Sequence, residues 1–292
     1  MKILVVGGNG FLGKAIFDRL STEGHSVLKM DRNQSALVSP NTILGDISRP
    51  ESYLDFLRDW KPNVVIQCAW VTGQKIYRDS DKNLNYHTDT VQFASNCIKL
   101  GVAHFIGMGS CAEYGIQHDP CHAGVTPTQP NDLYGKKKLE AFTEIRNIAE
   151  GSGTRFTWAR VFQPYGIGQD SERLVPWASA RLSTGNEIIV QNPNSKLDWI
   201  STRDISSAIS WTISKNLPTE IDIGTGVGAS VLDLLLNIAL ILDANTELIK
   251  VEPTRTIGLR QNDLIVSNNS PLLLSGWKAN DGLVDGLRWA IQ

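Results

Sequence analysis

Seven residues near the start, "GGNGFLG" at 7–13, constrain this chain more than any other feature. They follow a short apolar run, KILVV (2–6), and open an amphipathic stretch at 11–22, so the glycines stand at a strand-to-helix turn. Both Gly7-x2-Gly10-x2-Gly13 and Gly8-x-Gly10-x2-Gly13 are satisfied. Glycine at such a turn permits the tight bend, lets backbone N–H groups approach a pyrophosphate, and allows close helix-sheet packing. The helix N-terminus adds partial positive charge. The reading is a dinucleotide loop with Gly7, Gly10, Phe11, Leu12 and Gly13 as contacts. Asp31 follows about 20 residues on, at the end of the second strand, where a carboxylate accepts hydrogen bonds from adenosine ribose hydroxyls and favours NAD. Arg32 beside it could hold a 2′-phosphate instead, which leaves NADP open. Asp46 in "LGDIS", with Ile47 next to it, is placed to reach adenine; a helix N-terminal acid is the equal alternative.

The strand candidates HSVLKM (25–30), NVVIQCA (63–69), HFIGM (104–108) and FTWARVF (156–162) alternate with helix candidates at 50–59, 80–100 and 131–150. That alternation is the pattern of successive βαβ units feeding a parallel sheet. The expected fold class is α/β: a Rossmann-type doubly wound parallel sheet with a smaller, interleaved C-terminal substrate lobe. Residues 1–163, with 197–226 returning to them, form the expected cofactor domain. Residues 164–196 and 227–292 form the substrate lobe, with a cleft between.

A chain of 292 residues, 41% hydrophobic, can bury such a core. Its formal charge of −2 gives no broad attraction for nucleic acid or an anionic membrane, so an anionic ligand must be held locally. No apolar run approaches a membrane-spanning length, and the opening run is too short for a signal-peptide core. Cys68, Cys97, Cys111 and Cys121 contain no CxxC pair, which suits reduced thiols. The expectation is a soluble, cytoplasmic protein.

In "LYGKKKLEAF" (133–142), Tyr134 lies four positions before Lys138, a spacing that returns a helix to nearly the same face. It is the only Tyr-x3-Lys pair among the six tyrosines. A phenol transfers protons near neutrality only if its anion is stabilised, and a nearby ammonium would do this. Ser110, just after the strand at 104–108, can join them by hydrogen-bonding a substrate oxygen and the tyrosine together. Cys111, His118, Cys121 and His122 share one loop, but their spacing matches no usual zinc pattern, and no metal is expected.

The glycine loop, the acid after the second strand, Ser110, Tyr134-x3-Lys138 and "RVFQPYGIGQ" (160–169) together resemble the extended short-chain dehydrogenase/reductase family, in its nucleotide-sugar epimerase, dehydratase and reductase branch. "GSCAEYG" (109–115), "PNDLYGKKK" (130–138), "LDWISTRDIS" (197–206) and "IDIGTG" (221–226) are further echoes. The resemblance implies a lobe closing over a nucleoside-diphosphate sugar, with Tyr134 as general acid/base, Lys138 also holding the nicotinamide ribose, and Ser110 polarising the reacting carbonyl. Ala69 joins the implied cofactor contacts. Trp70, Ser110, Cys111, Arg173 and Arg260 are the implied substrate contacts, with Lys196 and Arg203 as weaker diphosphate candidates. Two positions depart from the family: Gln163 replaces an asparagine, and "QCAW" (67–70) replaces His-x-Ala-Ala. Trp70 either shapes the sugar pocket or caps the sheet.

Resembling dehydratases carry an Asp-Glu pair directly after the serine or threonine; here those positions are Cys111 and Ala112, with Glu113 one place too late. Of the remaining reactions, 4-ketoreduction of a nucleotide-linked 4-keto-6-deoxy sugar is preferred over 4-epimerisation. A non-catalytic dinucleotide sensor is the distant alternative. The resemblance also implies a homodimer through the helices at 80–100 and 131–150, with Leu139, Phe142 and Ile145 offering an apolar centre.

Overall fold

The computed structural model describes residues 1–33, 41–71, 77–252 and 264–292. Seven strands form one parallel sheet: β1 (Lys2–Val6), β2 (Ser26–Asp31), β3 (Thr42–Leu44), β4 (Val64–Gln67), β5 (His104–Ser110), β6 (Arg155–Val161) and β11 (Glu220–Ile223), in the order β11-β6-β5-β4-β1-β2-β3. The crossover helices are α1 (Phe11–Thr22), α2 (Leu54–Trp60), α3 (Lys82–Lys99), α4 (Leu133–Ala149) and α6 (Thr202–Ser214). Strand periodicity explains the two faces. In β1, Leu4 and Val6 pack with Phe93, Phe105 and Phe142, whereas Ile3 and Val5 pack with Ile16, Leu20 and Ile209. Nearly continuous burial along these strands is what two covered faces require.

The remaining elements are β7 (Gln163–Tyr165), α5 (Leu174–Ser183), β8 (Ile188–Val190), β9 (Lys196–Leu197), β10 (Trp199–Ser201), β12 (Ala229–Ser230), α7 (Val231–Ile241), β13 (Ile249–Val251), β14 (Leu264–Ile265), α8 (Ser270–Leu274) and α9 (Leu283–Ile291). A third apolar cluster, including Val175, Leu182, Leu234, Ile238 and Leu287, holds much of this part together.

Four details differ from the sequence reading. The short strand β3 was not among the strand candidates. The stretch at 50–59 divides into a 3-10 turn, Pro50–Ser52, and α2. In the returning segment, β10 pairs with β7 apart from the main sheet, and only β11 rejoins it beside β6. Leu197, at the expected start of that return, instead pairs with β12 and β14.

The start of β5 carries a polar lock. Arg155 donates to the carbonyls of Thr212, Ile213 and Lys215 at the end of α6, and to His104 Nδ1 at 2.5 Å. Nδ1 is therefore the acceptor, and Nε2–H donates to Thr157 Oγ1 at 3.0 Å. Burial first, then the Arg155 charge, lowers the His104 pKa from 6.5 to about 3. The unfolded chain takes up this proton below pH 6.5 and the folded chain does not until about 3, so the stability is present above 6.5 and is lost as pH falls. The folding constant should drop by about tenfold per pH unit from this group alone. His104→Asn should lack that slope, so its stability deficit relative to wild type should shrink between pH 6.5 and 4 in urea titrations; a constant deficit would contradict the assignment.

Candidate active site

The glycine loop sits where β1 hands over to α1. Gly7 has φ +70°, a left-handed conformation that suits glycine. A Cβ on Gly13 would lie 2.2 Å from the Gly7 carbonyl oxygen, so only glycine lets α1 approach its own loop this closely. No side chain caps α1 at Gly10, which leaves its first-turn N–H groups directed to a ligand. Asp31 reaches the same cleft from the end of β2, and its carboxylate accepts from Asn9 Nδ2 at 3.2 Å and from the Asn33 backbone N–H at 3.1 Å. Free backbone N–H groups at a helix N-terminus suit a pyrophosphate, and a carboxylate at the end of β2 suits a ribose diol, so the residues fit a dinucleotide.

The cleft encloses about 1630 Å³. Gly7, Gly10, Phe11, Leu12, Gly13, Asp31, Arg32, Asp46, Ile47 and Ala69 line it together with Trp70, Ser110, Cys111, Tyr134 and Arg173. Asp46 accepts from the backbone N–H and hydroxyl of Ser48 through one oxygen, an Asx turn that lies ahead of the 3-10 turn at Pro50–Ser52. Arg260 lies outside the described residues. Lys196 and Arg203 do not line the cleft: Lys196 belongs to β9, and Arg203 is held by Asp281 at 2.6 Å and stacks on Trp289. A guanidinium satisfied by its own carboxylate is not left over for a diphosphate.

Asp132 starts α4 by accepting from the Gly135 N–H at 2.7 Å, which fixes Tyr134 in the first turn, at the positive end of the helix. Tyr134 and Lys138 are both buried on the stripe that continues through Ala141, Phe142 and Ile145. Burial raises the Tyr134 pKa, and Tyr77 adds to the rise; hydrogen bonding from the Ser110 hydroxyl and the Arg78 charge oppose it. Arg78 is anchored on Asp132 at 2.5 Å. Lys138 is not one of the cleft-lining residues. Its ammonium donates to the Met108 carbonyl oxygen at 2.6 Å, and burial lowers its pKa to about 7 against the opposing charges of Glu113 and Cys68.

Phe142 and Ile145 are almost fully buried in this chain's own core, which corrects their expected place at a dimer centre. The spacing explains it: residues 138, 142 and 145 advance by four and three, so they share one face and cannot serve two.

Ser110 ends β5 and begins a capping box: its hydroxyl accepts from the Ala112 N–H at 3.2 Å, and Glu113 accepts the Ser110 N–H at 2.8 Å. Glu113 is wholly buried and also accepts from Trp158 Nε1 and from Arg160 Nε at 2.7 Å. Sequence reasoning considered Glu113 only as a misplaced dehydratase acid, although Ser110-x-x-Glu113 carries the capping-box signature. Arg78 and Asn83 were also missed, and no local motif marks them. Cys111 lies against Gln163 Nε2 at 3.7 Å, with burial raising its thiol pKa to about 12. Arg173 stacks on Tyr77, 4.6 Å from the ring centroid, and Tyr77 meets Tyr134 edge-on at 5.2 Å. Among the described residues no group of His, Cys, Asp and Glu is placed to hold a metal ion, and no helix is long and apolar enough to cross a membrane.

A family model described as "NAD dependent epimerase/dehydratase family" matches residues 3–224. The chain is 26% identical to a dTDP-L-rhamnose 4-epimerase of Burkholderia thailandensis, over 82% of this chain and 80% of that one. It is 28% identical to a GDP-6-deoxy-D-talose 4-dehydrogenase of Aggregatibacter actinomycetemcomitans, over 79% and 76%. Its fold is similar to that of the UDP-glucose 4-epimerase of Thermotoga maritima solved with UDP-glucose, with a TM-score of 0.88 and 22% identity over 100% and 97% of the two chains.

Proposed function

The chain belongs to the NAD dependent epimerase/dehydratase family, and from that premise we propose that it reduces the 4-keto group of a nucleoside-diphosphate 4-keto-6-deoxyhexose. The observation that carries this reading is that Ser110 and Tyr134 line the same cleft as the glycine loop, with Lys138 one turn behind Tyr134 on α4. The glycine loop, Asp31, Ile47 and Ala69 line the cleft and would hold a nicotinamide dinucleotide, and Lys138, which lies just behind the lining, would reach its nicotinamide ribose by way of the resemblance; the group would supply hydride chemistry. The chain supplies the proton: Tyr134 protonates the carbonyl oxygen, and Ser110 holds that oxygen in reach of the phenol. Trp70, Cys111 and Arg173 line the cleft and would contact the sugar and diphosphate. The groups after Ser110 argue against dehydration, because Cys111 is a buried neutral thiol, Ala112 has no acid, and Glu113 is committed to Arg160.

A 4-epimerase is the second reading, favoured by the 4-epimerase relative and by Asp31, whose support suits a retained NAD. Two incubations separate these readings: NADH with nucleotide-linked 4-keto sugars, and NAD+ with nucleotide-linked 4-hydroxy sugars. Net NADH loss with reduced sugar in the first supports reduction; inversion at C4 in the second without net NADH formation supports epimerisation.

NADH should bind about tenfold or more tightly than NADPH, because Asp31 repels a 2′-phosphate. Fluorescence titration of both checks this, and tighter NADPH binding would mean that Arg32 governs the site. A homodimer through α3 and α4 belongs to the same proposal. With Phe142 and Ile145 buried, its contact would use the exposed residues Leu84, Thr88, Lys136 and Glu140. A monomer by light scattering at micromolar concentration would remove it.

A further inference from the structure

An ammonium taken out of water needs compensating partners or it surrenders its proton. Lys138 is 4% exposed, and its ammonium donates to one carbonyl oxygen, that of Met108. Its other close neighbour is the face of Trp70, 4.0 Å from the ring centroid. The Trp158 and Tyr134 rings are more distant, at 5.8 and 5.9 Å.

The Trp70 ring is itself fixed. Its Nε1–H donates to the Asn83 amide oxygen at 2.9 Å, and the Asn83 amide nitrogen donates to the carbonyls of Tyr77 at 2.7 Å and Ser80 at 2.9 Å. Asn83 is fully buried in the first turn of α3. Trp70 also meets Tyr134 edge-on, at 6.4 Å and 84°. One indole thus contacts both members of the Tyr134–Lys138 pair while being anchored from a helix that contains neither.

We propose that Trp70 is a positioning residue for this pair: its indole, anchored by Asn83, carries the Lys138 ammonium on its face and keeps it charged beside Tyr134. The catalytic meaning of this rests on the assignment of Tyr134 and Lys138 under the proposed function. The charged and titratable groups facing Lys138 leave room for such a role. Glu113 is already paired with Arg160, Cys68 is a buried thiol whose pKa is raised to about 12, and Tyr134 is a neutral phenol. Trp70 offers an electron-rich face, which attracts a cation most strongly where water is excluded. With Lys138 brought down to about 7 by burial, a modest attraction decides whether it carries charge at neutral pH. A tryptophan that only capped the sheet would contribute packing and no charge selectivity.

The test is a direct titration of Lys138 in the ligand-free full chain, by NMR of lysine labelled with ¹³C at Cε and assigned by loss of its signal in Lys138→Met. Site-specific replacement of Trp70 by fluorinated tryptophans keeps the shape and the Asn83 bond while draining the ring face. The Lys138 midpoint should fall as fluorination increases. Trp70→Met, without a ring face, should lower it by about one pH unit, a tenfold stronger acid, and Trp70→Phe should fall between. An unchanged midpoint throughout the fluorinated series would overturn the proposal, even if Trp70→Met failed to fold. In single-turnover assays the same variants should move the pH limb of hydride transfer; a rate reduced equally at every pH would reduce Trp70 to packing. The titration needs no turnover, so an active Tyr134→Phe enzyme would sink the catalytic assignment and leave the Trp70–Lys138 coupling to be judged by its midpoints.

Discussion

Replacing Tyr134 by phenylalanine is expected to lower turnover by about 10²–10⁴-fold, the usual worth of a positioned general acid, while NAD(H) affinity stays near its original value. The ring fills the same space against Tyr77 and Trp70, so only the transferable proton is lost. Lys138→Met should behave differently. It removes a group proposed to contact the nicotinamide ribose, so cofactor binding should weaken along with turnover. Steady-state kinetics paired with NADH titration distinguishes the two variants. Equal losses of cofactor affinity in both would mean that Tyr134 acts through the cofactor pocket and not on the substrate.

The second large effect should come from beneath the site. Glu113→Ala leaves the buried Arg160 guanidinium with Glu220 alone and strips the Ser110 N–H and the Trp158 indole of their acceptor. Removing one partner of a buried ion pair costs about 3–5 kcal/mol, so the urea midpoint should fall sharply. Glu113→Val combined with Arg160→Leu should recover much of that loss, because deleting both charges leaves none unpaired. If the single and double variants unfold together, the pair contributes through shape and not through charge.

Most of what positions the site was legible because it is local. The glycine loop announces itself by residues that only glycine can be, and β1, β5 and β6 by apolar runs long enough to stand out. Tyr134 and Lys138 are separated by one helical turn, and Ser110, at the end of β5, lines the same cleft as Tyr134. What stayed hidden depends on partners far away in sequence. Glu113 meets Arg160 across 47 positions, and Trp70 meets Lys138 from a stretch of chain that precedes α3, so neither contact has a local signature. The three-residue β3 is too short to show a period. Phe142 and Ile145 stand four and seven positions after Lys138, so the helical repeat alone puts them on its buried face.

In the proposed reaction the chain delivers a proton from Tyr134 as a hydride reaches C4 of a nucleotide-linked sugar. The most direct measurement mixes the protein with NADH deuterated at the transferring position and a nucleoside-diphosphate 4-keto-6-deoxyhexose, then locates the label in the product by NMR over a single turnover. Deuterium is expected on the sugar C4 with wild-type protein, with transfer slowed by about 10²–10⁴-fold in Tyr134→Phe. Label that never leaves the nicotinamide, or that reaches the sugar equally fast in both proteins, would contradict it.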